Sequence, residues 1–341
     1  MTTPGSHTET LSQSSSTSAA SSLDIQQGND ETTYVSPTAA TSNDCVYPPN
    51  IMPLRVMSWN IWKGGSEIEN ALQKQVSVIE PDVADIIFIQ ESHGDGAIRL
   101  ARKLGMSVAQ QGYDCAVLTP FPVRRLHTDT EPYATAALLE TSLGDVLAWS
   151  VHLAPWDYGP YRQADLEQQP EVVFAQKGEQ LRTEQAQKIL SETTRIQSSL
   201  PQPVPVIVAG DFNVPSGEDW TGGFRPYVRW PAPQVFIDEG FQDAFRTCYP
   251  NVEKAPGLTW SFIEPIEREP RDRIDFIYVS GLAISAAHHL GGVVGGVPLQ
   301  DEPGFKAFGS HNHEIPDHRE NDFPSDHFAV LASLHLRNET E

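Results

Sequence analysis

Apolar and polar residues trade places with a two-residue period along Leu54-Arg55-Val56-Met57-Ser58-Trp59-Asn60-Ile61-Trp62, a pattern that predicts a β-strand. Comparable runs follow at Asp85–Glu91, Tyr113–Leu118, Val146–Leu153, Val204–Asp211, Arg273–Val279 and Phe328–Leu336. Between them the spacing changes to three and four. Glu67–Ile79 has helical periodicity and stops at Pro81, Gly178–Ser199 is a long amphipathic helix, and Val235–Tyr249 reads as a short one. Residues 291–324, rich in Gly, Pro and charge, predict a long loop. Many strands with a few helices among them and no internal repeat predict two packed sheets covered by helices, a single α/β domain over residues 51–338.

The polar residues that interrupt this pattern recur at one place, the ends of strands. Asn60, Glu91 and His152 close three of the apolar runs, Asp211 and Asn213 close a fourth, Asp275 lies in the next, and Asp326 with His327 precedes the last. Side chains alternate along a strand, so Asp211 and Asn213 leave on the same face, where the sheet opens. Each residue alone is accounted for by a turn or a cap. Together they are drawn from the small set of side chains that hold hard cations and phosphoryl oxygens.

Composition narrows the setting. The chain has 341 residues, 39% of them hydrophobic, and a formal charge of −22. That excess argues against a broad basic footprint for extended duplex DNA or an anionic membrane, but not against phosphate chemistry in a local groove. Residues 1–50 hold 19 Ser or Thr and neither Lys nor Arg, and are expected to be a disordered tail. This stretch lacks the basic start and apolar run of a secretory signal, and nothing later has the length of a membrane span. The three cysteines, at 45, 115 and 248, are scattered without metal-site spacing. The expectation is a soluble, cytoplasmic protein.

In order and type, Ser58-Trp59-Asn60, Ile89-Gln90-Glu91, Ser150-Val151-His152-Leu153, Gly210-Asp211-Phe212-Asn213, Asp272-Arg273-Ile274-Asp275-Phe276-Ile277 and Ser325-Asp326-His327 resemble the endonuclease/exonuclease/phosphatase superfamily, the fold of DNase I. The resemblance spans residues 54–336. It implies a four-layer α/β sandwich of two packed mixed sheets flanked by helices, and a divalent-metal-dependent phosphoesterase acting by water attack, with Mg2+ or Mn2+ as cofactor. Glu91 would hold the ion, with Asn60 and Asp326 beside it. Asp211 would position or deprotonate the water, and Asn213 would donate to a nonbridging oxygen. His327, oriented by Asp275, would contact the scissile phosphate, and His152 would serve the leaving oxygen. Which of Asp211, His152 and His327 moves the proton stays open at this point.

AP endonucleases of this family carry an acid two residues after the Asn and a Tyr at the position of His152. This chain has Trp62 and His152, which speaks against abasic-site repair. The aromatic loop with Trp156 and Tyr158 is a candidate for substrate contact, and Arg225 and Arg229, near Trp220 and Trp230, for a second phosphate contact on the opposite rim. The stretch His311-Asn312-His313-Glu314-Ile315-Pro316-Asp317-His318 looks like a His-x-His-x-Asp-His metal cluster, but its second spacing is two residues too long. The reading is a phosphodiesterase, or a phosphomonoesterase, for a small or lipid-like substrate. The alternatives are a DNase I-like nuclease and a noncatalytic binding module on the same fold.

Overall fold

The computed structural model describes residues 52–337 apart from 81–83, 224, 270 and 295–301. The tail expected at 1–50 lies outside the described residues. One sheet has seven strands in the order β12-β11-β13-β1-β2-β4-β3. They are β1 (Leu54–Asn60), β2 (Ile86–Gln90), β3 (Ser107–Gln110), β4 (Ala116–Thr119), β11 (Leu282–Val294), β12 (Phe305–Asn312) and β13 (Ala329–Leu336). The other has six in the order β5-β6-β7-β8-β10-β9: β5 (Val123–Leu126), β6 (Ala134–Thr141), β7 (Gly144–His152), β8 (Val206–Asp211), β9 (Gln242–Asp243) and β10 (Asp275–Ser280).

Burial on both faces explains why β1 is more apolar than a half-exposed strand. Leu54 and Val56 enter the cluster between the sheets, with Phe88, Ala148, Ile207 and Ile277, while Met57 and Trp59 face the helices α1 (Ala71–Ile79) and α2 (Gly96–Leu104). On the far side, after the short helices α3 (Gln163–Gln168) and α4 (Pro170–Phe174), α5 (Lys177–Ser199) and α6 (Pro231–Asp238) cover the second sheet through Ala186, Ile189, Phe236 and Trp149. Helix, sheet, sheet and helix make the four-layer sandwich.

Register then sets the site. In the second sheet β8 lies between β7, parallel to it, and β10, antiparallel, so Asp211 has His152 as its partner on one side and Asp275 on the other. In the first, parallel pairing of β1 with β2 sets Asn60 beside Gln90, one residue before Glu91. Gly210 permits the close approach of β7 and β8, because a Cβ there would lie 1.8 Å from the Val151 carbonyl oxygen.

Several expected elements change. The strand over Tyr113–Leu118 begins only at Ala116. The helix expected at Val235–Tyr249 is divided: α6 ends at Asp238, β9 intervenes, and α7 (Ala244–Cys248) restarts with Asp243 accepting from the Phe245 and Arg246 amides. The loop expected at 291–324 contains β12, which pairs in parallel with the end of β11. Its glycines mark close packing there, since a Cβ on Gly291 would meet the Phe328 ring. Gly and Pro content alone could not distinguish that packing from a solvated loop.

Candidate active site

The ends of β1, β2, β7 and β8 and the start of β10 meet between the sheets. Asn60, fully buried, donates through Nδ2 to Glu91 Oε1 at 3.2 Å and to Asp211 Oδ2 at 3.0 Å, tying a carboxylate of one sheet to a carboxylate of the other. Its Oδ1 accepts from the Trp62 amide at 3.0 Å. The amide therefore spaces the two acids. Glu91 Oε2 accepts from the Lys63 amide at 2.6 Å. Glu91 and Asn213 have positive φ, 54° and 51°, each just beyond the end of its strand. Such backbone is costly for residues with a Cβ and tends to persist where function holds it.

Asp211 is the hub. Its Oδ1 accepts from the Asn213 amide at 2.8 Å, and its Oδ2 lies 3.6 Å from His152 Nε2 and 3.7 Å from His327 Nε2. Burial raises its carboxyl, the His327 cation opposes this, and the result is about 6 against an ordinary 3.8. His327 Nδ1 donates to Asp275 Oδ2 at 2.9 Å. Burial works against the cation of His327, but the carboxylates of Asp275, Asp211 and Asp326 prevail and raise it to about 10. His152 follows the same logic with a different partner. Its Nδ1 donates to Asp114 Oδ2 at 2.6 Å, and although burial pulls it down, Asp114, Asp211 and Glu91 bring it up to about 9. Both imidazoles are thus held as cations at neutral pH.

The sequence leaves Asp114 unmarked because it falls inside the expected strand Tyr113–Leu118, whereas the strand begins only at Ala116. β4 is antiparallel to β2, so the residues preceding β4 arrive at the edge where β2 leaves. Trp260 was missed as well. It donates from Nε1 to Asp326 Oδ2 at 3.0 Å, and its ring centroid lies 5.9 Å from that of His327. Nothing in its local sequence marks it out, because loop packing alone brings it there.

Among the described residues, Asp211, Asp275 and His327 present ligand-type atoms within 4.8 Å of one another. That trio is a poor metal cage, since an imidazolium carries no free lone pair for a cation. The Glu91 and Asp326 side fits better. Asp326 Oδ1 is buried without a hydrogen-bond partner, and burial raises Asp326 to about 6 against the lowering effect of His327, with Glu91 adding repulsion. A buried, unpartnered carboxylate oxygen close to a second carboxylate is the donor set a hard divalent cation takes. Asn60 stands beside it as spacer, its amide nitrogen facing the acids.

The expected substrate contacts divide. A groove of about 390 Å³ runs beside Asn213, lined by Trp156, Tyr158, Tyr161 and Trp260. A second, of about 410 Å³, opens at Glu91, Asp114 and His152 and shares Trp156. Trp156 and Tyr158 therefore line a groove that reaches Asn213. Arg225 and Arg229 do not. Arg225 pairs with Asp272 at 3.4 Å and donates to the Arg271 carbonyl at 2.7 Å, while Arg229 lies outside against Asp238 and Gln234 of α6. Trp220 and Trp230 are buried against each other in the core, 5.1 Å apart, and form no rim. They were misplaced because an aromatic beside a motif looks alike whether it packs or stacks. In the His-rich stretch, His318 is buried against Trp62, and the backbone of His313 exchanges hydrogen bonds with Asn321. These contacts serve packing and a turn; the side chain of His311 lies outside those described. A larger cavity of about 580 Å³, with Lys63, Arg99 and Lys103, has Lys63 paired to Glu67 and Arg99 to Asp95.

Among the described residues, no helix is long and apolar enough to cross a membrane. The chain is 31% identical over 309 residues to the Caenorhabditis elegans protein F14F9.5, described as uncharacterized, an alignment covering 82% of this chain and 90% of that one. Among solved structures, it is similar to truncated C. elegans TDP2, with TM-score 0.50, 20% identity and coverage of 83% and 97% of the two chains. An endonuclease/exonuclease/phosphatase from Bacteroides vulgatus superposes with TM-score 0.51 at 16% identity, covering 84% of this chain and all of the other. At these identities the two structures speak to the fold alone. The family model described as Endonuclease/Exonuclease/phosphatase family matches residues 57–327, most of the chain, and the chain belongs to this family.

Proposed function

We propose that the protein is a divalent-metal-dependent phosphodiesterase that hydrolyses a P–O bond by attack of water. The observation that carries this reading is the Asp211 carboxylate held between two cationic imidazoles, at 3.6 and 3.7 Å. A carboxyl near 6 is ionised at neutral pH yet basic enough to accept a proton from water as it attacks, so Asp211 is the base. His327, kept cationic by Asp275, donates from Nε2 to a phosphoryl oxygen and offsets charge developing there. His152 holds a proton that Asp114 orients, and gives it to the leaving oxygen. Asn213 anchors its amide on the Leu153 carbonyl at 2.9 Å and lines the groove where a nonbridging oxygen would lie. A Mg2+ or Mn2+ ion held by Glu91 and Asp326 would withdraw negative charge from the phosphoryl group. Grooves on both sides of the centre favour a diester, with two organic substituents, over a monoester.

The test is hydrolysis of bis(p-nitrophenyl) phosphate with Mg2+ or Mn2+. Turnover should vanish with EDTA and return with added metal. A folded, metal-loaded protein inert on this diester, plasmid DNA, nucleotides, sphingomyelin and inositol phosphates would point instead to a binding module.

A further inference from the structure

Resting on the phosphodiesterase reading, we propose that the groove beside Asn213 is a subsite for a planar aromatic ring carried by the substrate, with Trp156 as its specificity-determining contact. Trp156 is 56% exposed, yet it sits on one of the most firmly held loops in the molecule. Arg182, fully buried in α5, donates to the carbonyls of Ala154 at 2.7 Å, Trp156 at 2.9 Å and Asp157 at 2.9 Å. The charge of Arg182 is balanced by buried Glu179, whose Oε1 also accepts from the Gly159 amide at 3.1 Å. Gln185 takes the Ala154 amide at 2.9 Å, and Asp157 adopts a φ of 52°. Helix and loop touch so closely that a Cβ on Gly178 would lie 2.2 Å from the Trp156 carbonyl oxygen. Burying an ion pair to fix a surface loop costs desolvation that a merely covering loop does not require. The product of this construction is a solvent-facing indole carried on a backbone with little freedom left to lose on binding.

The same groove is lined by a run of contacting aromatic rings. Tyr161 meets Tyr158 edge-on at 4.9 Å, Tyr158 meets Trp260 at 5.8 Å, and Trp260 reaches His327 at 5.9 Å. Both phenols are fixed at their tips, Tyr158 donating to Asp272 at 2.9 Å and Tyr161 to Glu269 at 2.7 Å. A groove of about 390 Å³ between such walls has room for one ring system. Flat π-faces with pinned polar tips suit a ring better than an acyl chain, which gains most from aliphatic walls. The chemistry shared by the possible substrates is thus a planar ring near the phosphorus, either a nucleobase or a phenolic ester.

The experiment uses the full-length, Mg2+-loaded protein. AMP, phenyl phosphate and ribose 5-phosphate are compared as inhibitors of bis(p-nitrophenyl) phosphate hydrolysis, and as quenchers of tryptophan fluorescence. At least one of the two ring-bearing phosphates should bind roughly tenfold or more tightly than ribose 5-phosphate and quench the emission, since stacking of one base on an aromatic side chain has about that effect or more. AMP as the tighter ligand assigns the subsite to nucleotides, and phenyl phosphate as the tighter one to phenolic esters. In Trp156→Ala the preference for a ring should collapse to about one and the quenching should be lost, while Trp156→Phe keeps the preference. Equal binding of all three by the wild type, or a ring preference that survives Trp156→Ala, overturns the proposal. Because quenching reads binding without turnover, it remains decisive if the protein hydrolyses no diester, the outcome that would sink the phosphodiesterase reading instead.

Discussion

Two clusters of buried charge lie within two residues of each other on the chain entering β10, and they follow opposite rules. Around Arg273 the charges balance. Arg273 pairs with Asp219 at 3.0 Å and Asp243 at 2.6 Å, and Arg246 with Asp219 at 2.6 Å, while Arg246 also donates to the carbonyls of Tyr249, Ala255 and Pro256. Around Asp275 the charges do not balance. Asp114, Asp211, Asp275, Asp326 and Glu91 gather around the imidazoles of His152 and His327, with His93 3.9 Å from Glu91 at the margin, and a buried carboxylate oxygen on Asp326 has no partner. The first cluster, two arginines against two aspartates, is neutral as folded and holds α7 and the following loop against the sheet. The second has an excess of carboxylates that a bound cation would offset, which is how a site would differ from a brace made of the same residue types.

The comparison can be broken or sharpened in five ways, from the largest effect downward. Removing a base or a charge donor from the unbalanced cluster should cost activity and little structure: Asp211→Ala or His327→Ala should lower kcat/KM on bis(p-nitrophenyl) phosphate about a thousandfold, with an unchanged circular dichroism spectrum. Removing one partner from the balanced cluster should do the reverse. Arg273→Met strands Asp243 and leaves Asp219 with Arg246 alone, and should lower the unfolding free energy by about 3–5 kcal/mol in urea titrations. A melt that is unmoved by Arg273→Met would deny the distinction.

Neutralising one excess acid should stabilise the metal-free protein. In Asp326→Asn the oxygen can still accept from Trp260 and the amide replaces the unpartnered Oδ1, so the melting temperature should rise without metal and no longer respond to Mg2+. The wild-type response should itself depend on pH. Asp211 and Asp326 have folded-state values near 6, above their ordinary 3.8, so each favours folding while protonated and loses that contribution as pH climbs from 3.8 through about 6. Mg2+ competes with those protons and relieves the repulsion among the ionised acids, so it should raise the melting temperature more at pH 8 than at pH 5. An equal or larger rise at pH 5 contradicts the assignment. The smallest effect concerns His152. Its cation is lost as pH rises through about 9, which should set the alkaline limb of kcat/KM, and Asp114→Asn should draw that limb down toward the ordinary 6.5.

How much of this was legible beforehand follows from chain direction and range. Asn60, Glu91, His152, Asp211 and Asn213 end apolar runs, and the sheet register does assemble them, because parallel strands deliver their carboxyl ends to one edge. Asp114 looks like part of the strand expected over Tyr113–Leu118, and β3, β5 and β12 are faint because short or glycine-rich edge strands carry little periodicity. Arg225 and Arg229 were placed on a rim by proximity in sequence, whereas one is bound to Asp272 and the other faces α6.

By itself, then, the sequence determined which atoms are available for chemistry and, through hydrophobic period, which ends of which strands carry them. Only the tertiary structure decided how those atoms divide their charge. A pKa, an ion pair or a stacking wall depends on distances of a few ångströms between residues far apart in the chain, and these arise only when the two sheets pack. That is why Asp211 between two imidazoles, Asp114 behind one of them and Trp260 beside the other emerge from the fold, although all three residues were in view from the start.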